Sequence, residues 1–500
     1  MPTSQHKVTI PGNQVTTDNS PANYDEIDKQ NEIQVSYNAE SWSSDKAFFK
    51  GNNAPIFEER YATDLKVRGK LPNWLNGIYI RNGPNPHFHC EDLTFPYDGD
   101  GMVHAVYFEN STVKYRNRWV KTEELEAEKR ADKSLWNSLT KPKFPSKKDR
   151  KAFDAPFTPV KNTANTNIIN HAGHLLAVYE GGVPYEITKD LETVGAFTFD
   201  GNIKGMMPHP KLDPLTGELH FLQYSAIQFP YLRYYVINKR GHVTKNVPIH
   251  IKSPTIIHDM ILTPNYVVFF LSPLEISLSK MFLCKNPLKW NPSKPTKVGI
   301  IPRHGKNQKV IWFKTDPFFV WHTMNGFEEN GNIILDYVHH NHGLPSEQNT
   351  PELHQIVVNP KKGIISHNAL DNQFIEFPVI DNRKIGQKYR YGYAARRDMT
   401  LDNVIEKAYF TELIQYDFEQ KTNCLHKLPK GQFIGEPTFV PHPTKNSETD
   451  GVILAFVYDE NTQKSKLIVI EPLHFDKAPL AVVELPFRVP NGFHGNWIGF

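Results

Sequence analysis

Cysteine is scarce: Cys90, Cys284 and Cys424 are the only three in 500 residues. Scattered and odd in number, they make neither a disulfide framework nor a paired CxxC metal site, and isolated thiols fit a reducing compartment. Long apolar runs are missing too. Residues 266–271 form the best one, which is strand-sized and far short of a membrane span. The N-terminal MPTSQHKVTIPGNQ lacks the apolar stretch of a secretory signal. Charge of one sign is also absent, with 57 Lys+Arg against 54 Asp+Glu. So balanced a surface offers no basic footprint for nucleic acid. These absences predict a cytoplasmic protein without a nucleic-acid partner, one that touches a membrane only peripherally if at all.

What is present is a long series of short strand signals. Residues 1–50 are polar, rich in Asn, Ser, Thr and Gln, and read as a flexible arm. Over 51–500, apolar or alternating runs recur at 77–81, 103–108, 175–179, 219–224, 266–271, 332–337, 452–457 and 466–470. Turn signals part them, such as Asp213-Pro-Leu-Thr-Gly217, Glu329-Asn-Gly331 and Asp459-Glu-Asn461. With 38 prolines and 29 glycines, long helices are few, and residues 122–139 read as a surface helix. Many short strands without alternating helices mean sandwich, barrel or propeller, and one continuous domain of this length favours an all-β propeller. No repeat motif sets the blade number.

Histidine carries the chemical signal. Most of the 22 must be ordinary core or surface residues. Four stand apart by context: His209 in Met207-Pro-His-Pro-Lys-Leu-Asp213, His258 in Thr255-Ile-Ile-His-Asp259, His322 in Phe319-Val-Trp-His-Thr-Met-Asn325, and His494 in Pro490-Asn-Gly-Phe-His-Gly495. Each sits alone beside aromatic or apolar neighbours at a predicted strand end. Four neutral imidazoles suit Fe, Zn or Cu, and their wide spacing excludes a local HExxH zinc site.

Several further segments resemble the carotenoid cleavage oxygenase family in the right order. They are Leu75-Asn-Gly-Ile-Tyr-Ile-Arg-Asn-Gly-Pro-Asn-Pro86, Phe95-Pro-Tyr-Asp-Gly-Asp-Gly-Met-Val103, Asn162-Thr-Ala-Asn-Thr-Asn167 and Leu175-Leu-Ala-Val-Tyr-Glu-Gly-Gly182. The four histidine segments, Phe374-Ile-Glu-Phe-Pro378 and Gly435-Glu-Pro-Thr-Phe-Val-Pro-His-Pro443 complete the set. The resemblance implies a seven-bladed β-propeller, its axial iron face capped by loops and short helices, with Fe(2+) held by His209, His258, His322 and His494. It further implies three orienting carboxylates, Glu180, Glu376 and Glu436, paired with His258, His322 and His494 in that order, and Thr166 beside the open coordination position. A ligating ring keeps its orientation by donating its other N–H to such a carboxylate. His104, His171, His174, His220, His339, His340 and His342 match no family position and read as structural or solvent-facing.

The implied activity is an iron(II) dioxygenase that adds O2 across a C=C of a carotenoid or apocarotenoid. The partners would be a hydrophobic polyene and O2. Two departures bear on substrate. Trp119 stands where stilbene-cleaving members carry a phenol-gripping Tyr, which favours an isoprenoid chain. Tyr179 precedes Glu180 where apocarotenoid oxygenases tend to have Trp. The segment Ser272 to Trp290 mixes bulky apolar residues with Lys280, Lys285 and Lys289, and resembles a membrane-dipping patch. A lignostilbene or resveratrol-type dioxygenase, a retinoid isomerase and a non-catalytic propeller binding protein remain the alternatives.

Overall fold

The computed structural model describes residues 50–500 apart from 91–92, 94–96, 111, 306–308, 345–348 and 402–408. The polar arm expected over 1–50 lies, except for Lys50, outside the described residues. Seven antiparallel sheets form seven blades. Counted outward from the axis, blade one is Gly495–Gly499, Gly77–Arg81, Met102–Glu109 and Thr112–Trp119, with Tyr61–Ala62 outermost. Blade two is Asn167–His171, His174–Val178, Tyr185–Ile187 and Thr193–Ala196. Blade three is Lys211–Leu212, Leu219–Tyr224, Leu232–Ile237 and Val243–Ile249. Blade four is Met260–Leu262, Tyr266–Leu271, Thr296–Pro302 and Ile311–Thr315. Blade five is Thr323–Glu329, Asn332–His339, Glu352–Asn359 and Gly363–Ala369. Blade six is Ile375–Val379, Tyr391–Arg396, Glu412–Asp417 and Thr422–Lys427. In blade seven, Thr438–Pro441 and Gln432–Ile434 both pair with Gly451–Asp459, followed by Lys464–Ile470, Ala481–Glu484 and Val67–Gly69.

The ring closes at both chain ends. The C-terminal strand pairs with Gly77–Arg81, Gly77 opposite Gly499 and Arg81 opposite Gly495, while Val67–Gly69 pairs with Ala481–Glu484 in the last blade. Closure removes exposed sheet edges at the seam. Apolar residues of neighbouring blades fill the space between them. Ile78, Ile80, Ile168, Ala177 and Ile498 form one such layer between blades one and two. Tight turns follow their residue chemistry: Asn330 and Gly331 both take positive φ at the blade-five hairpin, as a two-residue loop requires.

The helix expected over 122–139 is shorter and not superficial. It spans Glu123–Ala131, capped by the Thr122 side chain, and stops at left-handed Asp132. Its Glu124, Leu125, Ala127 and Glu128 are buried. Glu128 turns the following chain inward by accepting from the Leu135 amide and from Lys161. No described helix is long and apolar enough to cross a membrane, and none of the three cysteines forms a disulfide.

Candidate metal centre

Going round the ring, the position at or near the head of each innermost strand is in turn His494, Thr166, His209, His258, His322, Glu376 and Glu436. The propeller thereby gathers seven separated chain positions at one axial site. His209 reaches it from a bend set by Pro208 and Pro210, flanks that keep the chain out of helix and end the preceding segment. Glu376 is followed by Phe377 at φ 56°, a left-handed conformation that a bulky residue rarely adopts, and the ladder is irregular there. That kink packs the Phe377 ring against His322, tilted, and His494, edge-on, with centroids 5.3 and 5.5 Å away.

The four rings of His209, His258, His322 and His494 each offer a nitrogen within 4.8 Å of the others. His209 Nε2 and His258 Nε2 are 3.1 Å apart. His494 is 4.2 Å from His209 and 4.9 Å from His322 by ring centroids. Each of three rings turns its Nδ1 to a carboxylate. His258 donates to Glu180, His322 to Glu376 at 2.5 Å, and His494 to Glu436 at 2.8 Å. The second oxygen of each carboxylate is also taken: Tyr224 donates to Glu180, His340 to Glu376 at 2.6 Å, and the Gly495 amide to Glu436 at 2.6 Å. Burial works against charge on Glu376, yet the His322 and His340 rings hold its carboxyl well below the usual carboxylate range.

With Nδ1 committed, Nε2 of His322 is buried without any hydrogen-bond partner. Burial, then the other three rings, depress His209 far below an ordinary histidine. Four converging imidazoles with an orphaned nitrogen fit a borderline divalent transition ion, and three Nδ1–H to carboxylate bonds are the usual support of such ligands. Thr166 lines the same site, but its hydroxyl donates to Asn165 Oδ1 at 2.8 Å.

A cavity of about 820 Å³ leads away from the cluster. Tyr97, Tyr179, Ile256, Leu274, Trp321 and Phe377 are among its lining residues. Trp321 meets His258 edge-on at 5.0 Å and stacks on Tyr97 at 5.8 Å. Trp119 does not line it. Its ring packs in a core with Met102 and Leu125, and its Nε1 donates to Asn85 O at 3.1 Å. The substrate argument built on Trp119 therefore loses its footing: the helix that follows strand Thr112–Trp119 covers the ring through Leu125. His340, Tyr224 and Trp321 carried no signal in the sequence, since each joins the site only by contacts between strands. His340 in particular sits in a run with His339 and His342 that reads as structural or solvent-facing; it is buried and bonds the Glu376 carboxylate.

The family model described as retinal pigment epithelial membrane protein matches residues 53–499. A carotenoid cleavage oxygenase of Mycobacterium tuberculosis is 30% identical over 92% of this chain and 99% of its own length. The carotenoid 9,10(9',10')-cleavage dioxygenase 1 of Arabidopsis thaliana is 33% identical over 90% of this chain and 89% of its own. Among solved structures, the lignostilbene dioxygenase of Pseudomonas brassicacearum superposes with a TM-score of 0.82 at 27% identity, covering 91% of this chain and 99% of that one. Relatives, blade count and axial histidine cluster agree: the chain is an oxygenase that belongs to the retinal pigment epithelial membrane protein family, the family of the carotenoid cleavage oxygenases.

Proposed function

We propose that the protein is an iron(II)-dependent dioxygenase that cleaves one C=C of a carotenoid or apocarotenoid into two carbonyl products, each keeping one oxygen atom of O2. The observation that carries this reading is the four-imidazole cluster at the head of a large, mostly apolar cavity. A polyene offers no acidic proton and no leaving group, so side-chain acid–base chemistry has nothing to act on. Iron(II), when bound by the four rings, supplies the activation of dioxygen. Glu180, Glu376 and Glu436 orient three of those rings. Phe377 and Trp321 keep the polyene side of the centre dry, and Thr166, its proton given to Asn165, has a methyl and an oxygen lone pair left for the cavity.

The cavity favours a long apolar substrate. Its roughly 820 Å³ lies in the upper part of the range for small-molecule pockets, about 300–1,000 Å³. Among the described residues lining the cavity, the two lysines are not free to grip a phenol there: Lys161 is held by Asp100 and Glu128 at 2.7 Å each, and Lys204 is exposed. Glu124 also lines the cavity; its Oε2 is buried without a partner, and burial pushes its carboxyl up to about 7. Neutral near that pH, it can donate to an aldehyde or hydroxyl at a polyene end. The hairpin of Leu274–Ile276 and Leu288–Trp290 edges the cavity and carries exposed Phe282 and Leu283 on its tip, which supports entry of a lipid-soluble substrate from a membrane surface.

The test pairs metal content with a substrate panel. The protein should hold about one iron per chain, and His258→Ala or His322→Ala should lose most of it together with activity. An apocarotenal should be cleaved with kcat/KM at least about tenfold above resveratrol, or ~1.4 kcal/mol of transition-state preference. Full iron and activity in both variants would remove the metal assignment; a faster stilbene would replace the carotenoid reading with the phenolic one.

A further inference from the structure

Blade five carries a second group of imidazoles, on its flank and away from the axis. His339, His354 and His367 come from its second, third and fourth strands. Pairing sets Tyr337 opposite His354 and Ile356 opposite His367. Because side chains alternate along a strand, all three histidines then share one face of the sheet. Their ring centroids are 4.1 Å apart for His339 and His354, 5.4 Å for His354 and His367, and 5.6 Å for His339 and His367. One nitrogen from each lies within 4.8 Å of the other two.

The donor geometry is close to that of a bound ion. His354 Nδ1 and His367 Nε2 are 3.4 Å apart, and two nitrogens bound to one tetrahedral ion at 2.0–2.1 Å would be separated by about the same. His339 Nδ1 is buried and has no hydrogen-bond partner, a costly state for a ring nitrogen with nothing to meet it. Burial, together with the neighbouring rings, pushes His339 down to about 3 and His354 to about 4, and burial also lowers His367. All three are therefore neutral, the form that ligates. Neighbouring side chains already touch the rings: Asn341 hydrogen-bonds His339, the Thr315 hydroxyl lies 3.5 Å from His367 Nδ1, and the Tyr337 hydroxyl donates to His367 Nε2 at 2.7 Å, a lone pair that binding requires Tyr337 to release. Glu352 Oε2 lies 3.8 Å from His354 Nε2, on the other side of that ring.

We propose that His339, His354 and His367 form a second metal site, a three-histidine centre for a borderline divalent ion such as Zn2+, separate from the axial cluster. Three imidazoles without an oxygen cage exclude Ca2+ and Mg2+, which take oxygen ligands. Three protein ligands at a partly exposed position leave a fourth place for water, the arrangement of an open rather than a sealed zinc site.

The test uses tag-free, iron-loaded protein dialysed against Zn2+, with iron and zinc measured in the same samples. Wild type should keep its iron and take up about one further Zn2+ per chain, counted above any iron displaced. His354→Gln and His367→Gln should each weaken that uptake at least tenfold while retaining iron and cleavage activity. A second measurement needs no variant: Zn2+ should raise the melting midpoint of the iron-loaded wild type, because an ion that binds only the folded state stabilises it, and Ca2+ at the same concentration should not. Zinc uptake equal to the iron lost, undiminished uptake in both variants, or an unmoved midpoint would overturn the second site.

Discussion

A carboxylate beside an imidazole acts through both of its oxygens, and the three beside the axial histidines differ in what the second oxygen holds. Glu376 steadies two imidazoles, His322 and His340, whereas Glu180 shares with Tyr224 and Glu436 with a backbone amide. Glu180→Gln, Glu376→Gln and Glu436→Gln should each lower iron affinity or turnover by roughly ten- to a hundredfold with the fold intact. Glu376→Gln should be the most severe, read as iron per chain and initial rate. Wild-type values in all three would end their orienting role. Glu124 gives a pH signature of definite sign. Its carboxyl is raised from 4.5 to about 7 by burial, so it can donate a hydrogen bond below that pH and is an anion with its Oε2 unpaired above it. KM for an aldehyde-ended polyene should therefore climb as pH passes 7, while a hydrocarbon carotene shows no such climb. In Glu124→Gln, whose amide keeps donating, the aldehyde profile should flatten. The same shift makes this residue's contribution to folding stability complete below pH 4.5 and lost as pH rises through about 7.

At the scale of elements, the hairpin over 274–290 has two faces. Ile276, Met281 and Leu288 line the cavity, while Phe282 and Leu283 are 60 and 65% exposed at the tip. Phe144 stacks on Phe282 at 5.8 Å, and Phe157, 63% exposed, adjoins Phe144. This exposed aromatic patch at the cavity edge is where the proposed membrane contact would form. Changing Phe282 and Leu283 to Ser should weaken liposome binding and slow turnover of bilayer-dissolved substrate at least severalfold, with detergent-dispersed substrate little affected. Equal loss in both formats would mean damage to the hairpin's inner face and leave membrane docking without support. Strand positions were largely legible: Gly77–Arg81, Leu219–Tyr224 and Tyr266–Leu271 fall where alternation and turn residues put them. The helix was misread in extent because helical composition continues past Ala131, while the left-handed Asp132 and the Glu128 side chain turn the backbone away.

For the whole molecule, the proposed metal site and ring closure lie side by side, since His494 directly precedes the closing strand Gly495–Gly499. Ile498, 4% exposed, packs with residues of blades one and two. Ile498→Ala should cost about 2–5 kcal/mol in denaturant unfolding and also lower iron retention. Leu467→Ala, in the third strand of blade seven, should cost a similar amount of stability while leaving iron content near wild type. Equal iron content in the two would separate closure from the metal centre. The amino-acid sequence by itself determined the strand class and the balanced charge, and it marked the four histidines by their aromatic or apolar neighbours and by ordered motifs that resemble a known family, because each of these is a local property of a few adjacent residues. Only the tertiary structure decided that Glu180 meets His258 across 78 positions, His322 meets Glu376 across 54 and His494 meets Glu436 across 58. It also decided that Trp119 turns into a core and that His339, which reads from sequence as structural or solvent-facing, shares a sheet face with His354 and His367. Those outcomes depend on strand register and on the angular order of blades, and neither leaves a periodic mark along the chain.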